Sequence, residues 1–206
     1  APRRARRLQR LAELERELAI LEAARDGGIA DLSAPVTTCR RLLVEHPRYG
    51  RVHAVRLLLA RLEYRRGRHD SAAAVARDLL RLHGQSASAC PARLLLGDAL
   101  LDGGRARRAR GVYGALAAAG ACPAGLRRQA RYKLAWALLR DRRSRQAARQ
   151  LRALVADPRT PPRMTRRALL DLVLAWGMGR APADAGLVLE RRGGPRRGAE
   201  LTVELC

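Results

Sequence analysis

The feature that most restricts what this chain can fold into is a repeat. A leucine followed by a small or β-branched residue recurs in "LLARLEYRRG", "LLLGDALLDG", "KLAWALLRDR" and "DLVLAWGMGR". The pairs are Leu59-Ala60, Leu96-Gly97, Leu134-Ala135 and Leu172-Val173, at steps of 37, 38 and 38 residues. An alanine stands thirteen residues after each leucine, at Ala72, Ala109, Ala147 and Ala185, with the same three steps. Periods of this length mark arrays in which one supersecondary unit is stacked on the next, because a single unit cannot bury its own apolar stripe.

Each unit reads as helix, tight turn, helix. Leucines fall at helical spacing in the first half of the unit, as in Leu94, Leu95, Leu96, Leu100 and Leu101. A polar or glycine turn follows at Gly67, Gly103-Gly104, Asp141-Arg142 and Gly177 to Gly179. The second half carries Val75, Leu79 and Leu82, then Val112 and Leu116, then Leu151, Leu154 and Val155. Loops with Pro or Gly separate the units at 84–91, 120–125 and 157–162. Aromatic residues are only 3% of the chain and Phe is absent, so the core must be closed by leucines and small residues. Ala, Leu and Arg favour helix, and the small residues let two helices approach closely while leucines fill the seam. The expected fold is all-α, with antiparallel helix-turn-helix repeats stacked into a right-handed α-solenoid behind an N-terminal helix.

The set Leu96, Gly97, Gly104, Ala109, Tyr113 and Leu116 resembles the tetratricopeptide repeat, with its Leu-Gly pair, turn glycine, alanine and aromatic. The chain departs from that pattern in several places. Ala76 and Leu151 replace the aromatic, Arg142 and Arg180 occupy the turn-glycine position, and the period is longer than the usual 34 or so. The longer units, with "HPRYGRVHAV" and "ARYKLAWALL", are similar to bacterial envelope proteins of the family, of the Tol-Pal coordinator and outer-membrane assembly lipoprotein kinds. "RRALLDLVLAWG" is similar to repeat proteins of gliding bacteria. The resemblance implies a periplasmic or outer-membrane-associated location. It divides the chain into an N-terminal basic helix (1–26), a repeat region (31–192) and a linker with the start of a further helix (193–206). Within the repeat region it gives a partial unit at 31–50 and four units at 52–88, 89–126, 127–164 and 165–192.

In the N-terminal segment, Leu11, Leu14, Leu18 and Leu21 have the 3, 4, 3 spacing of a two-heptad coiled-coil seam. The alternative is a capping helix laid on the first repeat. The four cysteines, Cys39, Cys90, Cys122 and Cys206, form no C-x-x-C pair. Either all are unbridged thiols, or Cys90 and Cys122 form a disulfide, which their spacing allows. No run reaches the roughly 18 to 20 apolar residues of a membrane span. The chain begins at Ala1 rather than Met, which leaves a removed signal or lipid-bearing segment open.

The formal net charge is +23, from 42 basic and 19 acidic residues. The arginines cluster in "APRRARRLQR", "EYRRGRH", "GGRARRARG", "LRDRRSRQAARQLR" and "GGPRRG", mostly in turns and second helices. They are either the solvated outer skin of the array or an attractor for nucleic acid or anionic membrane. The scarcity of aromatics argues against base stacking, and no DNA-reading motif is present. No motif for a catalytic triad, a zinc hydrolase or a phosphate loop occurs either, so no enzyme, cofactor or metal site is expected.

The resemblance implies that first helices line a concave groove, and it transfers that role to named positions. They are Arg61, Tyr64 and Arg65; Asp98, Leu101 and Asp102; Tyr132, Trp136 and Arg140; and Arg167 and Leu174. Aromatic and Arg anchors beside acidic residues suit an extended peptide or a helix of a protein partner. Tyr132, Trp136 and Leu174 have a second reading, burial between neighbouring repeats.

Overall fold

The computed structural model describes residues 2–179 together with 185, 186 and 188. Among them the regular structure is wholly helical: α1 (Pro2–Asp26), α2 (Ser33–Glu45), α3 (Val52–Arg65), α4 (His69–His83), α5 (Ala89–Asp102), α6 (Ala106–Ala118), α7 (Ala124–Arg140), α8 (Ser144–Ala156) and α9 (Pro162–Gly177). Most of the final repeat's second half, Arg180 and residues 193–206 lie outside the described residues. The chain divides into two compact units, Ala1–Gly104 and Arg105–Cys206.

In the first unit α1 packs on α2, α2 on α3, α3 on α4 and α4 on α5, and α3 also touches α5. In the second unit α6 packs on α7, α7 on α8 and α8 on α9. Both units therefore follow one rule, in which a helix hairpin passes its apolar stripe to the first helix of the next. The helices α2 to α9 lack side-chain N-cap hydrogen bonds, so packing between helices, more than capping, holds them.

The repeat columns are the core. Leu59, Leu96, Leu134 and Leu172 are buried, as are Ala72, Ala109, Ala147 and Ala185. Four residues beyond each of the first three alanines stand Ala76, Tyr113 and Leu151, and three further on stand Leu79, Leu116 and Leu154, all six fully enclosed. A helical unit repeated at this period puts the same column at the same depth each time, and close packing demands that depth be filled.

The hairpin turns explain why Arg142 can stand where glycine is usual. Gly67 and Gly104 have φ of 71° and 77°, and Arg142 adopts the same left-handed conformation at φ 56°. Arg68 N donates to Glu63 O at 3.0 Å and Gly67 N to Tyr64 O at 3.0 Å; Arg143 N donates to Leu138 O at 2.8 Å and Arg142 N to Leu139 O at 3.0 Å. Both turns thus close the helix with the paired bonds of a left-handed C-terminal cap. A side chain there costs roughly 1–2 kcal/mol relative to glycine. Arg142→Gly is therefore expected to raise stability by about 1 kcal/mol in urea denaturation, and a loss of stability would contradict this reading of the turn.

The N-terminal helix is a packed helix, and its leucine seam faces away from the core. Ala5, Gln9 and Ala12 are buried, whereas Leu11, Leu14, Leu18 and Leu21 are between 46% and 67% exposed. Cys39 lies in the core that Ala12 shares with Leu32, Val36, Leu42, Val55, Leu59 and Leu62. It is a free thiol, while Cys90 and Cys122 are both disulfide-bonded.

Burial pushes the Cys39 thiol up to about 12 from 9.0, with Glu15 and Glu13 adding to the shift. Thiolate is therefore about a thousandfold scarcer in the fold than in the unfolded chain near neutral pH. Iodoacetamide should modify Cys39 only through unfolding, as read by peptide mass mapping. Fast labelling in the native chain would overturn this. Folding holds the thiol neutral, so the stability it carries is complete below pH 9.0 and is lost as pH rises from there towards 12.

Candidate protein-interaction face

The first helices carry the positions expected to meet a partner, and the structure sorts them. In the first unit, Arg61 and Arg65 project from α3 into solvent, Asp102 is exposed on α5, and Asp98 is half-buried. Tyr64 Oη donates to Asp102 Oδ2, joining α3 to α5. Leu101 does not belong with them: at 8% exposure it packs in the core instead of offering surface. Its place at the inward edge of α5, directly before Asp102, accounts for the difference.

In the second unit, Tyr132 and Trp136 lie one helical turn apart on α7 and are half-buried. Both reach the same acceptor on α9. Tyr132 Oη donates to Asp171 Oδ2 at 2.5 Å, and Trp136 Nε1 donates to it at 3.2 Å. Burial raises the Tyr132 pKa, and the bond to Asp171 raises it further. The two rings therefore brace successive first helices while keeping part of their surface open. Arg140 and Arg167 are exposed, and Leu174 is 46% exposed on α9. Tyr64 with Asp102, and Tyr132 with Asp171, are the same device in the two units: a tyrosine on one first helix held by an aspartate on the next.

Many arginines of turns and second helices are engaged by carboxylates. Asp141, in the turn between α7 and α8, takes Arg110 at 2.6 Å, Arg143 at 3.0 Å and Arg107 at 3.6 Å. Arg128 pairs with Asp157 at 3.8 Å. Two residues of consequence escaped the sequence reading. Glu63 is fully enclosed on α3, with Arg40 at 2.6 Å and Arg66 at 3.9 Å. Trp176 is buried on α9. Both fall in the column of Leu100 and Leu138, at steps of 37, 38 and 38 residues, and that column would have placed them.

Among the described residues no group of three or more His, Cys, Asp or Glu side chains is arranged to hold a metal ion. No described helix is long and apolar enough to cross a membrane.

No protein-family model and no curated protein matches the sequence. Solved structures do. A kinesin light chain-like protein of Podosopora anserina, with nearly identical TPR-like repeats, superposes with a TM-score of 0.65 over 100% of this chain and 94% of its own, at 15% identity. A single-substitution variant of that protein gives 0.66 over 99% and 93%, at 16% identity. BtubC (BKLC) of P. vanneervenii gives 0.62 over 96% and 92%, at 16% identity. The chain has the fold of tetratricopeptide-like repeat proteins.

Proposed function

We propose that this chain is a non-catalytic interaction scaffold that holds a peptide or helix of a protein partner against the exposed face of its first helices. The observation that carries this reading is the arrangement on α7 and α9. Half-open Tyr132 and Trp136 are fixed by Asp171, with Leu174, Arg140 and Arg167 exposed on the same pair of helices. Rigid aromatic surface beside arginine is what concentrates binding energy at protein interfaces. The likeness to TPR-like repeat structures supports the same class of function.

We place the scaffold in a bacterial cell-envelope assembly, in the periplasm or at the outer membrane. The envelope-type resemblance of the longer units supports this, as do the disulfide-bonded Cys90 and Cys122, since disulfides persist in oxidising compartments. The competing reading is a sequence-independent binder of nucleic acid or anionic membrane, favoured by the +23 charge.

Capture from nuclease-treated envelope extract, washed at low and moderate salt, separates the two. The scaffold reading expects a defined protein that survives moderate salt and is lost with Leu174→Glu plus Arg167→Glu, two substitutions at exposed positions. Binding that vanishes with nuclease or salt and ignores these substitutions would transfer the function to the arginine surface.

A further inference from the structure

We infer that the cleft between α1 and α3 is a binding site for an acidic peptide, one that alternates carboxylates with apolar side chains. This rests on the scaffold reading and names the chemistry of one partner segment. The cleft has two adjoining parts that share Gln9, Glu13 and Arg51. One, of about 640 Å³, is walled by Arg3, Arg6, Arg7 and Arg10. The other, of about 290 Å³, runs over Ala54, Leu57 and Leu58 to Arg16, Glu17 and Arg61.

Charge is the first argument. Seven guanidinium groups line the two parts against two carboxylates, and both carboxylates are already engaged. Glu13 accepts from Gln9 Nε2 at 3.0 Å and lies 3.5 Å from Arg10; Glu17 lies 3.4 Å from Arg16. Arg3, Arg6, Arg7, Arg51 and Arg61 have no carboxylate within ion-pair distance among the described residues. Like charges held around one open cleft repel one another, and an acidic ligand relieves that repulsion. One point shared by both parts is set in place beforehand. Gln9 is 8% exposed, and its amide accepts from Tyr49 Oη at 3.0 Å while donating to Glu13. A fixed point where the two parts join lowers the ordering cost of binding there.

The lining favours a peptide over nucleic acid. Leu58 and Ala54 give it a half-buried apolar floor, which suits side chains between the acids. No aromatic ring lines either part on which a base could stack.

Fluorescence anisotropy tests this with a labelled peptide of alternating glutamate and leucine. The controls are its lysine counterpart and an oligothymidylate of equal charge. The acidic peptide should bind, the lysine peptide should not, and Arg51→Glu with Arg61→Glu should weaken binding by about tenfold or more. Arg3→Glu with Arg7→Glu, at the far end of the cleft, carries the same expectation and serves if the first pair perturbs folding, as read by helical circular dichroism. Absence of peptide binding, indifference to both reversals, or equal affinity for the oligothymidylate each overturns the inference. The scaffold reading is judged separately at Leu174 in the other unit, so failure in the cleft with partner capture intact removes only this assignment.

Discussion

Arg40→Ala is expected to cost about 3 kcal/mol of stability, while Glu63→Leu is expected to be neutral or stabilising. The asymmetry follows from where the two charges sit. Glu63 is fully enclosed, whereas the Arg40 side chain is 55% exposed. Removing Arg40 leaves a buried carboxylate whose nearest remaining cation, Arg66, is 3.9 Å away. Its Oε2 has no hydrogen-bond partner even in the intact chain. Deleting one member of a buried pair generally costs about 3–5 kcal/mol, and replacing the buried charge by a hydrophobe of similar size is often neutral or better. Leucine already fills that column at Leu100 and Leu138, so the depth suits it, and Arg40 and Arg66 can turn to water. Urea denaturation of both variants decides the matter. Equal losses from the two would show that the pair, rather than the burial of a lone charge, sets the energy.

Tyr113→Ala should be comparably severe, at about 3–5 kcal/mol. Tyr113 heads the largest side chains with no solvent exposure, and it occupies the column filled by Ala76 in the preceding repeat and Leu151 in the following one. Truncation opens a cavity that surrounding helices cannot close without shifting, so both the transfer and the cavity contributions are lost. Tyr113→Leu, which copies Leu151, should recover at least half of that loss. A cost below about 1 kcal/mol for the alanine variant would mean that α6 is not packed in the way its burial implies.

The repeat made much of this legible before any coordinate. Leu59, Leu96, Leu134 and Leu172, and the four alanines thirteen residues beyond them, mark columns that are buried wherever described. A further column at the same steps, that of Leu100 and Leu138, contains Glu63 and Trp176, whose charge and aromatic character mask their shared position. In the N-terminal helix the conspicuous residues are not the ones that pack. Its leucines are conspicuous, yet close approach to α2 selects small residues, so Ala5 and Ala12 go inside and Leu11, Leu14, Leu18 and Leu21 stay out. Asp171 could not be foreseen as the shared acceptor of Tyr132 and Trp136. That depends on the offset between α7 and α9, which periodicity along one chain does not encode. The α1–α3 cleft was hidden in the same way, since Arg51 and Arg61 are distant in sequence from Arg3 to Arg10.

The central claim, that a protein partner lies on the first helices, is tested most directly by a photo-crosslinking residue placed at Leu174 on α9, with one at Arg149 on α8 as control. Both positions are exposed, so neither should disturb the fold. In nuclease-treated envelope extract, position 174 should give an adduct with one defined protein and position 149 should give none. Adducts from 149 alone, or from neither position while nucleic acid or lipid is captured instead, would contradict the claim.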